Sequence, residues 1–132
     1  MVTAALKISI PEKSRVFVLD DTEDRLAWFR EHLPQARSAK TADEAIEILA
    51  ANAFDVVFLD HDLHWMDAGD ITRQHGNGKE VARFLAIRKF AGRVVIHSRN
   101  HEAVPVMQKI LPQATIAPFG EFEIVISEAA AR

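Results

Sequence analysis

Apolar residues in this chain come in short runs whose period switches between that of a strand and that of a helix. RVFVLD (15–20) is a β-branched run ending in acid. Over 22–33, Leu26, Phe29 and Leu33 recur at helical spacing until Pro34 stops the helix. ARSAK (36–40) reads as a weak second strand. Thr41 with Glu44 forms a capping box, and Ala42, Ala45, Ile46, Leu49 and Ala50 make one helical face. FDVVFLD (54–60) is continuously apolar, as expected of a strand covered on both faces. Residues 61–77 form a polar loop, long for a compact domain, and loops of that length are mostly functional or disordered. A helix is predicted from Gly78, with Val81, Phe84, Leu85 and Arg88 in period and Gly92 as its end. RVVIHS (93–98) is another buried strand, 101–111 a helix up to Pro112, and ATIAP (114–118) a last short strand. The tail 121–129 fits two periods: Phe122, Ile124 and Ile126 alternate, while Phe122, Val125, Ile126 and Ala129 match a helix.

Five strands alternating with four or five helices predict an α/β fold, a doubly wound five-stranded parallel sheet with helices on both faces. Such sheets bind ligands beyond the carboxyl ends of their strands, where the strand order reverses. Composition adds limits. The 132 residues suit one domain able to bury its own core, and 48% hydrophobic content excludes a disordered chain. A net charge of −3 gives no electrostatic ground for nucleic acid or membrane partners. The absence of cysteine excludes thiolate metal sites and disulfides, which suits a cytoplasmic location. With no apolar run of membrane-spanning length and no basic-then-apolar leader, neither a membrane span nor a signal peptide is expected.

The predicted strand ends gather the polar chemistry. The first ends in Asp20-Asp21, the third in Asp60-His61-Asp62, the fourth in His97-Ser98 with Asn100 and His101 behind. Five of the six histidines (His61, His64, His75, His97 and His101) lie at or just after the third and fourth strand ends. Each group has a plain structural explanation: Asp20-Asp21 as a helix cap, Asp62 as a turn residue, His64 and His75 as solvated side chains, His97 bonded to a carbonyl. Together they say more, because converging carboxylates raise one another's pKa and a divalent cation relieves the repulsion. Oxygen ligands suit Mg²⁺, the leading expectation, and Mn²⁺ or another transition metal follows if histidines ligate.

The acidic pair, the strand-ending Asp60 and the hydroxyl of Ser98 resemble the pattern of response-regulator receiver domains. The resemblance runs from about Arg15 to Pro118, leaving 1–14 as an N-terminal extension and 15–132 as a receiver-like domain with an insertion at 61–77. It implies a flavodoxin-like fold, Asp20 and Asp21 as metal acids, and Asp60 as phosphoacceptor. It also implies a metal contact at Asp62, through the backbone carbonyl in that family, and Ser98 as the phosphoryl contact. Asn77-Gly78 resembles the Asp-Gly that opens the family's third helix. The chain departs where the family carries a lysine before a proline on its last strand, since Ala117 precedes Pro118 here. The family's last helix looks truncated or recast. DDTEDR, LDHDL and HSRN resemble a variant, the cyclic-phosphate-processing receiver domain.

That resemblance implies a metal-dependent phosphoesterase acting on a cyclic phosphate, carried by a nucleotide or an RNA end. Asp20, Asp21, Asp60 and Asp62 would hold the metal. Asp60 itself, with His61 and His97 as base and acid in either order, would carry the chemistry. Ser98, Asn100, Arg25 and His101 would bind the phosphate. For Arg25 an i,i+4 pair with Asp21 competes. Lys79 is a weaker anion candidate. Trp65 is expected to anchor the inserted loop, with stacking on a base or ribose as the other reading. The alternative function is a divergent receiver that accepts a phosphoryl group on Asp60 or serves only a protein partner.

Overall fold

The computed structural model describes residues 6–62 and 77–128. In chain order the elements are β1 (Leu6–Pro11), β2 (Val16–Leu19), α1 (Glu23–His32), β3 (Arg37–Ala39), α2 (Ala42–Ala51), β4 (Val56–Leu59), α3 (Gly78–Ile87), β5 (Arg93–Ile96), α4 (Ala103–Ile110), β6 (Thr115–Ile116) and β7 (Phe122–Ser127). Five strands form a parallel sheet in the order β3-β2-β4-β5-β6. The chain steps outward from β2 to β3 and then returns past β2 to β4, so the order reverses between β2 and β4.

Successive strand residues point to opposite faces, so the strands divide cleanly. Phe17, Leu19, Val57, Leu59, Val94 and Ile96 pack under α2, α3 and α4 through Ala45, Leu49, Val81, Leu85 and Met107. Val16, Val18, Val56, Phe58 and Val95 face the other way, against Leu26 and Phe29 of α1. That second face is completed by β1 and β7, a separate parallel two-stranded ribbon in which Ile8, Ile10 and Phe122 are buried. The alternating reading of the tail is therefore the one the fold adopts. No strand was expected before residue 15, and none of the described residues after 118 is helical. No helix among the described residues is long and apolar enough to cross a membrane.

Local signals account for the helix starts. The Thr41 hydroxyl accepts from the Glu44 N–H at 3.1 Å, while the Glu44 carboxylate accepts from the Lys40 N–H at 3.2 Å. Asn77 caps α3 by accepting from the N–H groups of Lys79 and Glu80 at 3.0 and 3.3 Å. Thr41→Ala should lower stability by about 1 kcal/mol, the usual value of a helix cap. A urea unfolding curve checks this, and an unchanged midpoint would contradict it.

Candidate functional site

The parallel register carries one residue past the strands into the site. Leu19 pairs with Leu59, and Leu59 with Ile96. The ladder continues beyond them: the Asp20, Asp60 and His97 N–H groups donate to the carbonyls of Ala39, Leu19 and Leu59 at 3.1, 3.0 and 2.9 Å. Asp20, Asp60 and His97 thus stand in one row at the reversal point. By strand alternation all three turn to the α1 face, in line with Val18, Phe58 and Val95.

Asp20 and His97 have no exposed surface, and Asp60 is 4% exposed. One Asp20 oxygen accepts from the Thr22 N–H at 2.8 Å, and the other lies 2.8 Å from His97 Nε2. The N-cap of α1 is Thr22, so Asp20 does not cap the helix; its bond to the Thr22 N–H closes a turn just before it. The His97 ring packs against Phe29 and Phe58, and its Nδ1 is buried without a hydrogen-bond partner among the described residues. One carboxylate oxygen each from Asp20 and Asp60 and a ring nitrogen of His97 lie within 4.8 Å of one another. Burial pushes the Asp60 carboxyl up to about 6; the Asp20 charge adds to this, while His97, the His61 N–H and Arg25 pull the other way.

Above this row lies an open cleft of about 450 Å³, lined by Asp21, Thr22, Arg25, Asp60, Asp62, Ser98, Arg99 and Asn100. Arg25 Nη1 stands 3.8 Å from Asp20 Oδ2 and 3.9 Å from Asp60 Oδ2. Its guanidinium lies over the Phe119 ring, 5.1 Å from the centroid. On the other rim Asp62 accepts from Asn100 Nδ2 at 3.1 and 3.2 Å, and its Oδ1 lies 2.7 Å from His61 Nδ1. Asn100 is itself fixed: its N–H donates to Ser98 Oγ at 3.0 Å, and its Oδ1 accepts from the N–H groups of Glu102 and Ala103. The Gly78 N–H donates to the His61 carbonyl at 2.9 Å, and Asp62 pairs with Asn77 in an isolated bridge. A Cβ at Gly78 would overlap the Asp60 carbonyl oxygen and come within 2.9 Å of His61 Cα. Only glycine lets α3 start this close to the end of β4.

The sequence profile of the cyclic-phosphate processing Receiver domain matches residues 15–113, three quarters of the chain. The chain belongs to this family. No curated protein matches it. Solved receivers share its fold. One is the response regulator TrrA from Thermotoga maritima in complex with Mg²⁺–BeF, with TM-score 0.64 and 17% identity over 81% of this chain and 89% of that one. Another is the receiver domain of the Francisella response regulator 1452, with TM-score 0.58 and 15% identity over 85% and 84%. A third is DrrB, a Thermotoga maritima OmpR/PhoB homolog, with TM-score 0.60 and 17% identity over 81% of this chain and 46% of that one.

Within this cyclic-phosphate processing receiver domain, the expected site residues fall into three groups. Asp21, Arg25, Asp60, Asp62, Ser98 and Asn100 meet at the cleft, and Asp20 joins His97 beneath its floor. His61 stands behind Asp62 rather than among the described lining residues. His101 lies on the exposed turn before α4 and is not among the described lining residues. His64, Trp65 and His75 lie outside the described residues. Arg25 lies between Asp20 and Asp60. Ala117, buried at the end of β6, brings no charge to the row. Sequence reading missed Thr22 and Arg99. Thr22 acts through its backbone, which no residue type announces, and Arg99 sits inside HSRN, where its neighbours drew the attention.

Proposed function

We propose that this domain opens a cyclic phosphodiester with the help of a divalent cation. The observation that carries this reading is the convergence of three buried ligand atoms, from Asp20, Asp60 and His97, under a cleft lined by Asp21, Asp62, Arg25, Ser98 and Asn100. The donor set fits a cation: two buried carboxylates in one row repel each other unless positive charge sits with them, and His97 offers nitrogen besides. Asp20, Asp21 and Asp60 would hold the ion with the Asp62 carbonyl. Mg²⁺ fits if oxygens alone bind, and Mn²⁺ if His97 takes part. Bound there, the cation supplies charge for a phosphoryl oxygen and lowers the pKa of water.

The chain's own groups do the rest. Asp62 holds His61 through Nδ1; because His61 stands behind Asp62, its Nε2 would take the attacking water's proton through an intervening water. Ser98 and Arg25 would hold the non-bridging oxygens, and Asn100, engaged with Asp62 and Ser98, would position both. The water oxygen bonds to phosphorus, the ring P–O bond breaks, and the leaving oxygen takes a proton from solvent in the open cleft. The product is a phosphomonoester. His97 has no surface to offer a substrate, so its part is to orient Asp20 or to enter the ligand set.

The test is direct. Purified protein with Mg²⁺ or Mn²⁺ should open 2′,3′-cyclic CMP, and His61→Ala should slow this by roughly 10²-fold, the usual contribution of a general base. A second reading rests on Asp60 ending β4 and lining the cleft: transfer of a phosphoryl group to its carboxylate. An acid-labile adduct from acetyl phosphate, lost in Asp60→Asn and without ring opening, would replace the first reading with this one.

A further inference from the structure

Arg25 runs against the ordinary rules of a helix start. The first turn favours negative charge, and α1 opens that way with Glu23 and Asp24. The next residue is a cation. Its Nη1 stands 3.8 Å from Asp20 Oδ2 and 3.9 Å from Asp60 Oδ2, and no other described lysine or arginine pairs with either carboxylate. From the other side the guanidinium rests on the Phe119 ring, 5.1 Å from its centroid. Phe119 is itself fixed: its N–H donates to the His97 carbonyl and its carbonyl accepts from Arg99 Nη1, both at 2.9 Å. A ring on one side and two acids on the other keep a positive charge beside the row. The hold on the acids is by charge more than by bonding, because guanidinium–carboxylate hydrogen bonds run at about 2.7–2.9 Å.

We propose that Arg25 is the resident counter-ion of the metal-free protein, and that a divalent cation binds Asp20 and Asp60 in exchange for it. This rests on the cation-binding part of the function proposed above, and not on ring opening. The two carboxylates that Arg25 pairs with are the two that offer ligand atoms alongside His97. Buried carboxylates in one row need positive charge beside them, and Arg25 supplies it while no ion is bound. An ion on the same acids is a like charge to the guanidinium and repels it. The contacts at 3.8 and 3.9 Å are loose enough to give way. Released from the acids, the planar fork is free to take a phosphoryl oxygen in the cleft that Arg25 lines. Entry of the metal and release of the phosphate-binding arginine become one event.

Calorimetric titration of the metal-free proteins with Mn²⁺ at pH 8 tests the exchange. Arg25→Gln should bind Mn²⁺ more tightly than wild type, on the order of 10-fold, the scale on which linked binding events commonly act on each other. Arg99→Gln removes a charge from the same cleft but none from the two acids, so it should tighten Mn²⁺ far less. In wild type the Arg25 Nε–H resonance should move as Mg²⁺ saturates the site, and amide spectra show that each variant folds. An Arg25→Gln protein that binds Mn²⁺ no more tightly than wild type overturns the exchange and leaves the cation site standing. Equal tightening by Arg99→Gln overturns it too, since any nearby charge would then serve, and so does an Arg25 Nε–H resonance that saturating Mg²⁺ leaves in place. Mn²⁺ binding by neither wild type nor Arg25→Gln removes the cation site together with the exchange. Tighter binding in Arg25→Gln, with no opening of 2′,3′-cyclic CMP by wild type, keeps the exchange and removes the hydrolase.

Discussion

Gly78→Ala should lose about 3 kcal/mol or more of folding stability, a cost at the upper end of overpacking. The added methyl has nowhere to go. It would overlap the Asp60 carbonyl oxygen and press on His61 Cα, both of them backbone atoms that cannot rotate aside. Relief requires the start of α3 to withdraw from the end of β4. That would break the bond from the Gly78 N–H to the His61 carbonyl and the Asp62–Asn77 bridge. Urea unfolding measures the loss, and a variant within 1 kcal/mol of wild type would contradict it. The same displacement moves Asp60, so any folded fraction should also bind divalent cations more weakly. A glycine at a helix start is ordinarily read as a flexible residue; here it serves as an absence of side chain.

Asp60→Asn should make the metal-free protein more stable above pH 6, and the gain should vanish in acid. The wild-type carboxyl is pushed up to about 6, chiefly by burial, from an ordinary value near 4. The folded state therefore holds this proton more tightly than the unfolded chain does. The resulting stabilisation is fully present below about pH 4 and is lost as the pH rises through 6. About two pKa units correspond to about 3 kcal/mol lost by pH 8. Asparagine keeps the shape without the charge, so the variant escapes this loss. Thermal or urea unfolding at pH 4 and pH 8 should show the two proteins converging in acid and separated in base. Saturating Mg²⁺ or Mn²⁺ should stabilise the wild type and close the gap from the other side, because a ligand bound only by the folded state adds its binding energy to folding. A variant no more stable than wild type at pH 8 would remove the premise of a strained carboxylate.

The row Asp20, Asp60 and His97 was legible because parallel strands have few ways to lie together. Once RVFVLD, FDVVFLD and RVVIHS read as strands, their last residues had to share an edge. Strand alternation even decides the face: His97 follows Val95 and so must turn toward α1. What alternation does not say is depth. The ring lies wholly beneath Asp20, which alters its part from touching a substrate to holding a carboxylate. Arg25 had two partners within reach on paper, and only the packing of α1 against Phe119 placed it between Asp20 and Asp60. The ribbon was hidden for a different reason. Leu6 pairs with Phe122, so neither strand has a partner near it in sequence, and each alone is a short amphipathic run. The tail could not be assigned to strand or helix until its partner was known.

That pairing also orders events in time. The α1 face of the sheet stays open until residues 122–127 have joined residues 6–11, because Ile8, Ile10 and Phe122 form part of its cover. Closing a loop of more than a hundred residues is slow compared with winding a helix. Phe29 and Phe58 already pack on each other across α1 and β4, and Phe122 reaches both only when the ribbon pairs. The ribbon acts as the last clasp on the half of the core that backs the cleft. Phe29 and Phe58, which it covers through Phe122, are the same rings that pack against His97.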